Sequence, residues 1–170
     1  MPGLIWWHHL EGEGATQADI LAWETPEQAK AASDLMRSDA RFAPFVEAIT
    51  EIGHFGHYRA DTAADAIKAR LDDAPLTEIA LYTVQDASAH EPAQVGVHKA
   101  LATLDGMLGG ARLTLDGEAN GYGDLLTWGS KADHEMAGQA LMGQANLAPV
   151  FGGMNPPHVF ALFTTVTSSE

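Results

Sequence analysis

The stretch "DILAWETPEQAKAA" runs from Asp19 to Ala32, and "DLLTWGSKADHEMA" runs from Asp124 to Ala137. Each reads as a short strand ending in tryptophan, a polar turn and an alanine-rich helix. Sliding the chain by 105 residues aligns Ile5–Arg59 with Gly110–Thr164 without a gap. Eleven of the 55 pairs are identical, among them Leu10/Leu115, Gly12/Gly117, Asp19/Asp124, Leu21/Leu126, Trp23/Trp128 and Pro44/Pro149. Chance at ordinary composition gives roughly one match in 15. Many unmatched pairs are chemically alike, such as Ile20/Leu125 and Phe42/Leu147. An internal repeat is therefore expected.

The unit has a legible order. Leu4–Leu10 and Ala111–Leu115 read as strands, followed by the hairpin loops "EGEGATQA" and "DGEANGYG". Next come strands at Asp19–Trp23 and Asp124–Trp128, in which Asp, Leu and Trp share one face. Thr25, Pro26 and Gln28 make a capping box with proline at the first helical position, and Ser130 caps the second copy. Ala29, Ala32, Leu35 and Met36 form the buried stripe of the first helix. Each copy closes with a strand, at Ile52–Arg59 or His158–Val166. Between the copies, Asp61–Asp73 reads as a polar-faced connecting helix and Leu76–Gln85 as a strand. "EPAQVGVHKALATLDGMLGG" then reads as a helix with Val97, Leu101, Leu104 and Leu108 near one face. The glycine groups "GMLGG" and "FGGM" read as turns.

The second copy thus spells β-α-β-β-α-β, the ferredoxin-like unit, and the first spells only its last four elements. The expected fold is α+β: tandem ferredoxin-like modules, the first lacking its opening strand and helix. The expected boundaries are 1–60 for the incomplete module, 61–75 for the connector and 76–170 for the complete module. The missing strand is a central one. The chain is shortened at its start, or the closing strand pairs directly with Asp19–Trp23, or another segment fills the gap.

Composition narrows the function classes. The chain has 170 residues, 46% hydrophobic, no cysteine and a formal net charge of −14. Disulfides, thiolate nucleophiles and cysteine metal sites are excluded. The acidic balance argues against nucleic acid and against anionic membranes as partners. No apolar run suits a membrane span and no signal peptide is apparent, so a cytoplasmic protein is expected.

A strand ending in tryptophan, then Ser/Thr, then a helix rich in alanine, then "FAPF", resembles the antibiotic biosynthesis monooxygenase-like superfamily of dimeric α+β barrels. "DILAWETPEQAKAASDLMRSDARFAPF" carries that resemblance best, and the two modules together cover most of the chain. It implies two sheets packed face to face, a ligand pocket between a sheet and its helices, and a homodimer. Proteins of this type include cofactor-independent monooxygenases of aromatic polyketides, haem-degrading enzymes and lactone isomerases. A related small-molecule enzyme acting on an aromatic ligand, with no cofactor, is the first functional expectation; a non-catalytic binding or interaction protein is the second. Trp23 and Trp128 are the expected pocket residues. Haem-degrading relatives pair such a tryptophan with an asparagine on the first strand and a histidine on the following helix. Leu76–Gln85 has no asparagine, and of the helices that follow Trp23 and Trp128 the first has no histidine and the second only His134, in its first turn, so haem degradation is disfavoured.

Other candidates rest on residue type. His9, His54 and His57 are candidates for acid–base chemistry, and His9 with one of the other two would meet across a sheet. "HFGH" imitates a metal motif, but strand residues three apart face opposite ways, so no metal site is expected. Tyr82 is a candidate phenol donor on the central strand, against the ordinary reading of a core tyrosine with a wet hydroxyl. Asp19 and Asp124 read as strand-start or turn acids. No serine-triad or phosphate-loop pattern occurs.

Overall fold

Seven strands and six helices were identified in a computed structural model that describes residues 1–144 and 147–165. β1 (Leu4–Gly12) and β2 (Gln17–Trp23) form a hairpin, followed by α1 (Pro26–Ser38), a 3-10 turn at Ala40–Phe42, α2 (Ala43–Ala48) and β3 (Tyr58–Ala60). After α3 (Ala64–Asp73) come β4 (Leu76–Thr83), α4 (Ala87–Leu101), the hairpin of β5 (Met107–Leu115) and β6 (Gly121–Trp128), α5 (Lys131–Met142), α6 (Ala148–Gly152) and β7 (Val159–Thr165). Thr25 accepts from Gln28 N, the Gln28 side chain answers Thr25 N, and Ser130 accepts from Asp133 N, so both helices start where their caps dictate. Gly14 and Gly117 take left-handed φ in the two hairpin turns, a conformation glycine adopts without strain.

All seven strands join one antiparallel sheet in the order β2-β1-β7-β4-β6-β5-β3. β7-β4-β6-β5 forms the middle, and the early hairpin and β3 extend it at opposite edges. β1 lies on β7 and β3 lies on β5. The closing strand of the first half therefore does not pair with Asp19–Trp23. It covers the β5 edge, whose backbone groups would otherwise be unpaired. The expected strand at Ile52–Arg59 shrinks to three residues. Val166, expected to end the last strand, lies outside the described residues.

The sheet curls around α3. Ile67 and Leu71 of α3 are buried against Trp6, Leu10, Ile79, Leu81, Ala111, Leu125 and Phe163. Ala18, Ile20 and Ala22 from one sheet edge, and Tyr58 from the other, pack on the same cluster. Both edges thus approach one core, and Ser33 of α1 reaches His57 beside β3 at 3.0 Å. The helix is pinned along its length: Trp6 Nε1 donates to Ala64 O at 3.1 Å, Thr165 Oγ1 to Leu71 O at 2.9 Å, and Arg70 Nη1 to Gly110 O at 2.6 Å. The segment expected to be a mere connector is the inner core. The expected turn at "GMLGG" is the start of β5, which places Leu108 on a strand rather than on the α4 face.

α4 and α5 cover the other side, where Leu101, Leu126, Trp128, Ala137, Leu141 and Leu147 form a second core. These observations describe an α+β fold with a curled seven-stranded antiparallel sheet. Among the described residues no helix is long and apolar enough to cross a membrane.

Leu71 and Leu10 are both fully buried, each a burial worth about 1.5–3 kcal/mol. Leu71→Ala is expected to lower unfolding free energy by about 2–5 kcal/mol in denaturant titration. Asp73→Ser, on the exposed side of the same helix, should change it by less than about 0.5 kcal/mol. Equal effects would contradict α3 as the inner core.

Candidate functional site

The outward face of the central strands carries an unusual run of polar groups. Strand register sets Ala80 opposite Asp124, Tyr82 opposite Tyr122 and Glu78 opposite Leu126. With alternation, Glu78, Ala80 and Tyr82 share this face with Tyr122, Asp124, Leu126 and Trp128. α4 lies over it. Asp86 caps that helix, accepting from Ser88 N and Ala89 N, and so fixes its phase over the sheet.

His90, Gln94 and His98 recur every four residues and so descend one side of α4 onto Asp124. Gln94 Nε2 reaches Asp124 Oδ1 at 2.9 Å, and His98 Nε2 reaches the same oxygen at 2.7 Å. The Tyr82 hydroxyl donates to Asp124 Oδ2 at 2.8 Å. Since its single hydrogen is committed there, His90 Nε2, 3.2 Å from that hydroxyl, must be the donor of their bond. Gln94 Nε2 also lies 3.1 Å from Gly123 O. Burial, and then the Asp124 charge, push the Tyr82 phenol far above its ordinary range. Burial lowers His90, against the pull of Asp124 and Glu91. Tyr82 therefore stays a phenol and His90 a neutral ring at neutral pH.

A groove of about 470 Å³ opens beside this network, between α4 and the β3–β5 edge. Its floor is Arg59, Arg112, Thr114 and Tyr122, and its wall is Glu91, Pro92, Gln94 and Val95 of α4. The volume suits a ring compound. Gln94 belongs to both the groove and the network. Tyr122 donates to Glu91 Oε1 at 3.3 Å, and its ring meets His90 edge-on at 4.7 Å. Burial first, and Glu91 second, raise the Tyr122 hydroxyl.

A second polar group lies further along the same face. Glu78 is buried and 3.0 Å from His134 Nε2. Burial, and then the charge of Asp124, push its carboxyl up to about 7, although the Trp128 N–H beside it acts the other way. Burial lowers His134. Both shifts favour the uncharged form, so the contact has more the character of a hydrogen bond than of an ion pair. Trp128 is 1% exposed and meets His134 edge-on at 5.6 Å.

The residues named from sequence fall in several places. Tyr82 and Trp128 lie on the helix-covered face, Tyr82 inside the network. Trp23 ends β2 at the far edge of the sheet, only half-buried, and does not meet Trp128. His9 bonds Asp19 at 2.8 Å on the first hairpin, where Trp7 Nε1 donates to the same oxygen at 2.8 Å. His54 meets the Tyr58 hydroxyl at 2.8 Å and stacks on His158, and His57 meets Ser33. His9 therefore stands apart from His54 and His57, which lie near the opposite edge strand. No group of three histidine, aspartate or glutamate side chains able to hold a metal occurs among the described residues.

His90, Gln94, His98 and Tyr122 are not singled out by the sequence, and Asp124 reads there only as a strand-start or turn acid. Two signals pointed to them. Asp124 repeats Asp19 on a strand face otherwise apolar, and "HEPAQVGVH" spaces three polar side chains by helical turns. In both halves the aspartate receives a histidine nitrogen, His9 or His98, but only the second lies under a helix.

No protein-family model matches the chain, and no curated protein matches it in sequence. Among solved structures it is similar to an anthrone oxidase-like protein. The identity is 15% over 97% of this chain and 78% of that chain, with a TM-score of 0.55. That likeness concerns the fold, and it agrees with an α+β barrel.

The raised Glu78 carboxyl carries a signed pH dependence. Between pH 4.5 and about 7 the unfolded chain releases this proton while the folded chain keeps it, so stability falls as pH rises through that window. The loss amounts to about 3 kcal/mol and is complete above the folded value. Glu78→Gln is expected to gain about that much relative to the parent between pH 4.5 and 8 in chemical denaturation. Parallel stability–pH curves would contradict the assignment.

Proposed function

We propose that the chain is a small-molecule enzyme that binds a ring compound in the groove beside Tyr122 and withdraws a proton from it. Such a step opens a cofactor-independent oxidation by dioxygen. The observation that carries this reading is the contact between an open groove of about 470 Å³ and a buried network, made through Gln94. In this reading Glu91 is the base that accepts the proton. The Tyr122 hydroxyl then turns from Glu91 to the developing oxyanion, donating where negative charge grows. Asp124, Tyr82 and His98 are positioning residues that hold Gln94 and α4 over the strands. A fold shared with a protein described as anthrone oxidase-like supports the class.

We infer further that the fold is the antibiotic biosynthesis monooxygenase-like barrel, built by one chain from two ferredoxin-like modules of which the first lacks its opening strand and helix. The recurring order β-β-α-α-β, and the exchange of closing strands between the halves, support this. A homodimer belongs to the same reading. Phe45, Val46, Ile49, Ile52 and Phe55 are exposed on and after α2, where a second copy would cover them.

A second reading, a non-catalytic binding protein, is favoured by one observation: Tyr82, Gln94 and Asp124 already satisfy each other. Oxygen uptake with anthrone as substrate separates the two. Uptake above the uncatalysed background is expected, falling about 100-fold or more in Glu91→Gln and in Tyr122→Phe. Ring binding without uptake would leave the second reading, and neither binding nor uptake would overturn both.

A further inference from the structure

We infer that the groove selects an aromatic ring bearing a single carboxylate, held at the β3–β5 end by Arg59 and Arg112. This rests on the reading above that the groove is the ligand site. The chain has only nine lysines and arginines against 23 acids, yet two of the nine line this one groove.

Their geometry leaves donors free. Arg59 gives its Nε and Nη2 to Asp116 Oδ1, at 3.0 and 2.9 Å. Arg112 gives its Nε to Asp61 Oδ2 at 2.7 Å, and its backbone N–H to Asp61 Oδ1 at 2.9 Å. These ion pairs anchor each guanidinium from one side. Among the described residues neither Nη of Arg112 has a partner, nor does Nη1 of Arg59. Strand pairing sets Arg59 opposite Thr114, and Arg112 stands two residues from Thr114 on the same face. The two cations are thus diagonal neighbours. A planar carboxylate between them can take forked N–H donors, the contact for which guanidinium is best shaped.

The groove is polarised along its length. Glu91 and Tyr122 stand towards α4 and the arginines towards the sheet edge. A ligand with its anion at the arginine end keeps that charge away from Glu91. Asp116 and Asp61, the latter itself lining the groove, match the two guanidinium charges one for one. The arginine end therefore offers free N–H donors without excess positive charge, which suits a singly charged carboxylate better than a dianion. The ring lies on Tyr122, Val95 and the Pro92 side of α4.

Calorimetric titration of the full chain with 2-naphthoate, 2-naphthol and 2-naphthyl phosphate tests this. Naphthoate is expected to bind at least about tenfold more tightly than naphthol. That advantage should be lost in Arg112→Gln, and partly kept in Arg112→Lys. It should shrink as salt rises from about 0.05 M to about 0.5 M. Arg59→Gln gives the same reading should Arg112→Gln fail to fold. Naphthol binding as tightly as naphthoate, or naphthyl phosphate binding more tightly, overturns the carboxylate selection and leaves the groove as a ring site. Binding of none of the three overturns both.

Discussion

Insertion of α3 into the curl of the sheet is the constraint on which the other features depend. Ile67 and Leu71 supply the apolar contact, and Trp6, Arg70 and Thr165 tie the helix backbone or side chain to β1, β5 and β7. A flat sheet of this width would leave both faces of its outer strands poorly covered. Wrapped around one helix, it brings side chains of β2 and β3 onto the same core. The consequence for the site is direct. β3 is only three residues long, and it is held on β5 with Arg59 beside Thr114. Without that strand the groove has no outer floor.

The opposite face is organised by polar satisfaction. A carboxylate under a helix is costly unless its oxygens are occupied, and Asp124 receives the Tyr82 hydroxyl, the Gln94 amide and the His98 ring. These bonds orient α4, and α4 in turn forms the wall of the groove. Glu78 meets the same problem without such a set of partners, and takes up a proton instead. Two acids on one sheet face therefore behave differently because their surroundings differ.

Much of the fold was legible because local signals agreed. Tryptophan-ended strands, the capping box at Thr25 and the cap at Ser130 located α1 and α5. The β-α-β-β-α-β order of the second half matches the observed order of β4 to β7. What escaped were long-range choices. No local pattern says that Tyr58–Ala60 pairs with β5 rather than with the strand before it. The stripe Ile67 and Leu71 is too short to distinguish a surface helix from one inside a curl. The site was harder to see for a related reason. His90, Gln94 and His98 stand on a helix read for its leucines, and Asp124 looks like a turn acid until α4 is placed above it. The histidines of the first half stand out by number, yet His9 bonds Asp19, while His54 and His57 find other partners in Tyr58, His158 and Ser33.

Asp19 and Asp124 show how one residue can serve two settings. Both accept from a histidine, but β1 and β2 carry no helix equivalent to α4, so Asp19 stays near solvent with Trp7 and His9. Enclosure, more than residue type, distinguishes the half that carries the buried network beside the groove. A crystal structure of the chain soaked with 2-naphthol tests this most directly. The account predicts ring density against Tyr122, between α4 and the β3–β5 edge. Density on the open Trp7–Asp19 face, or against α3 inside the curl, would contradict it.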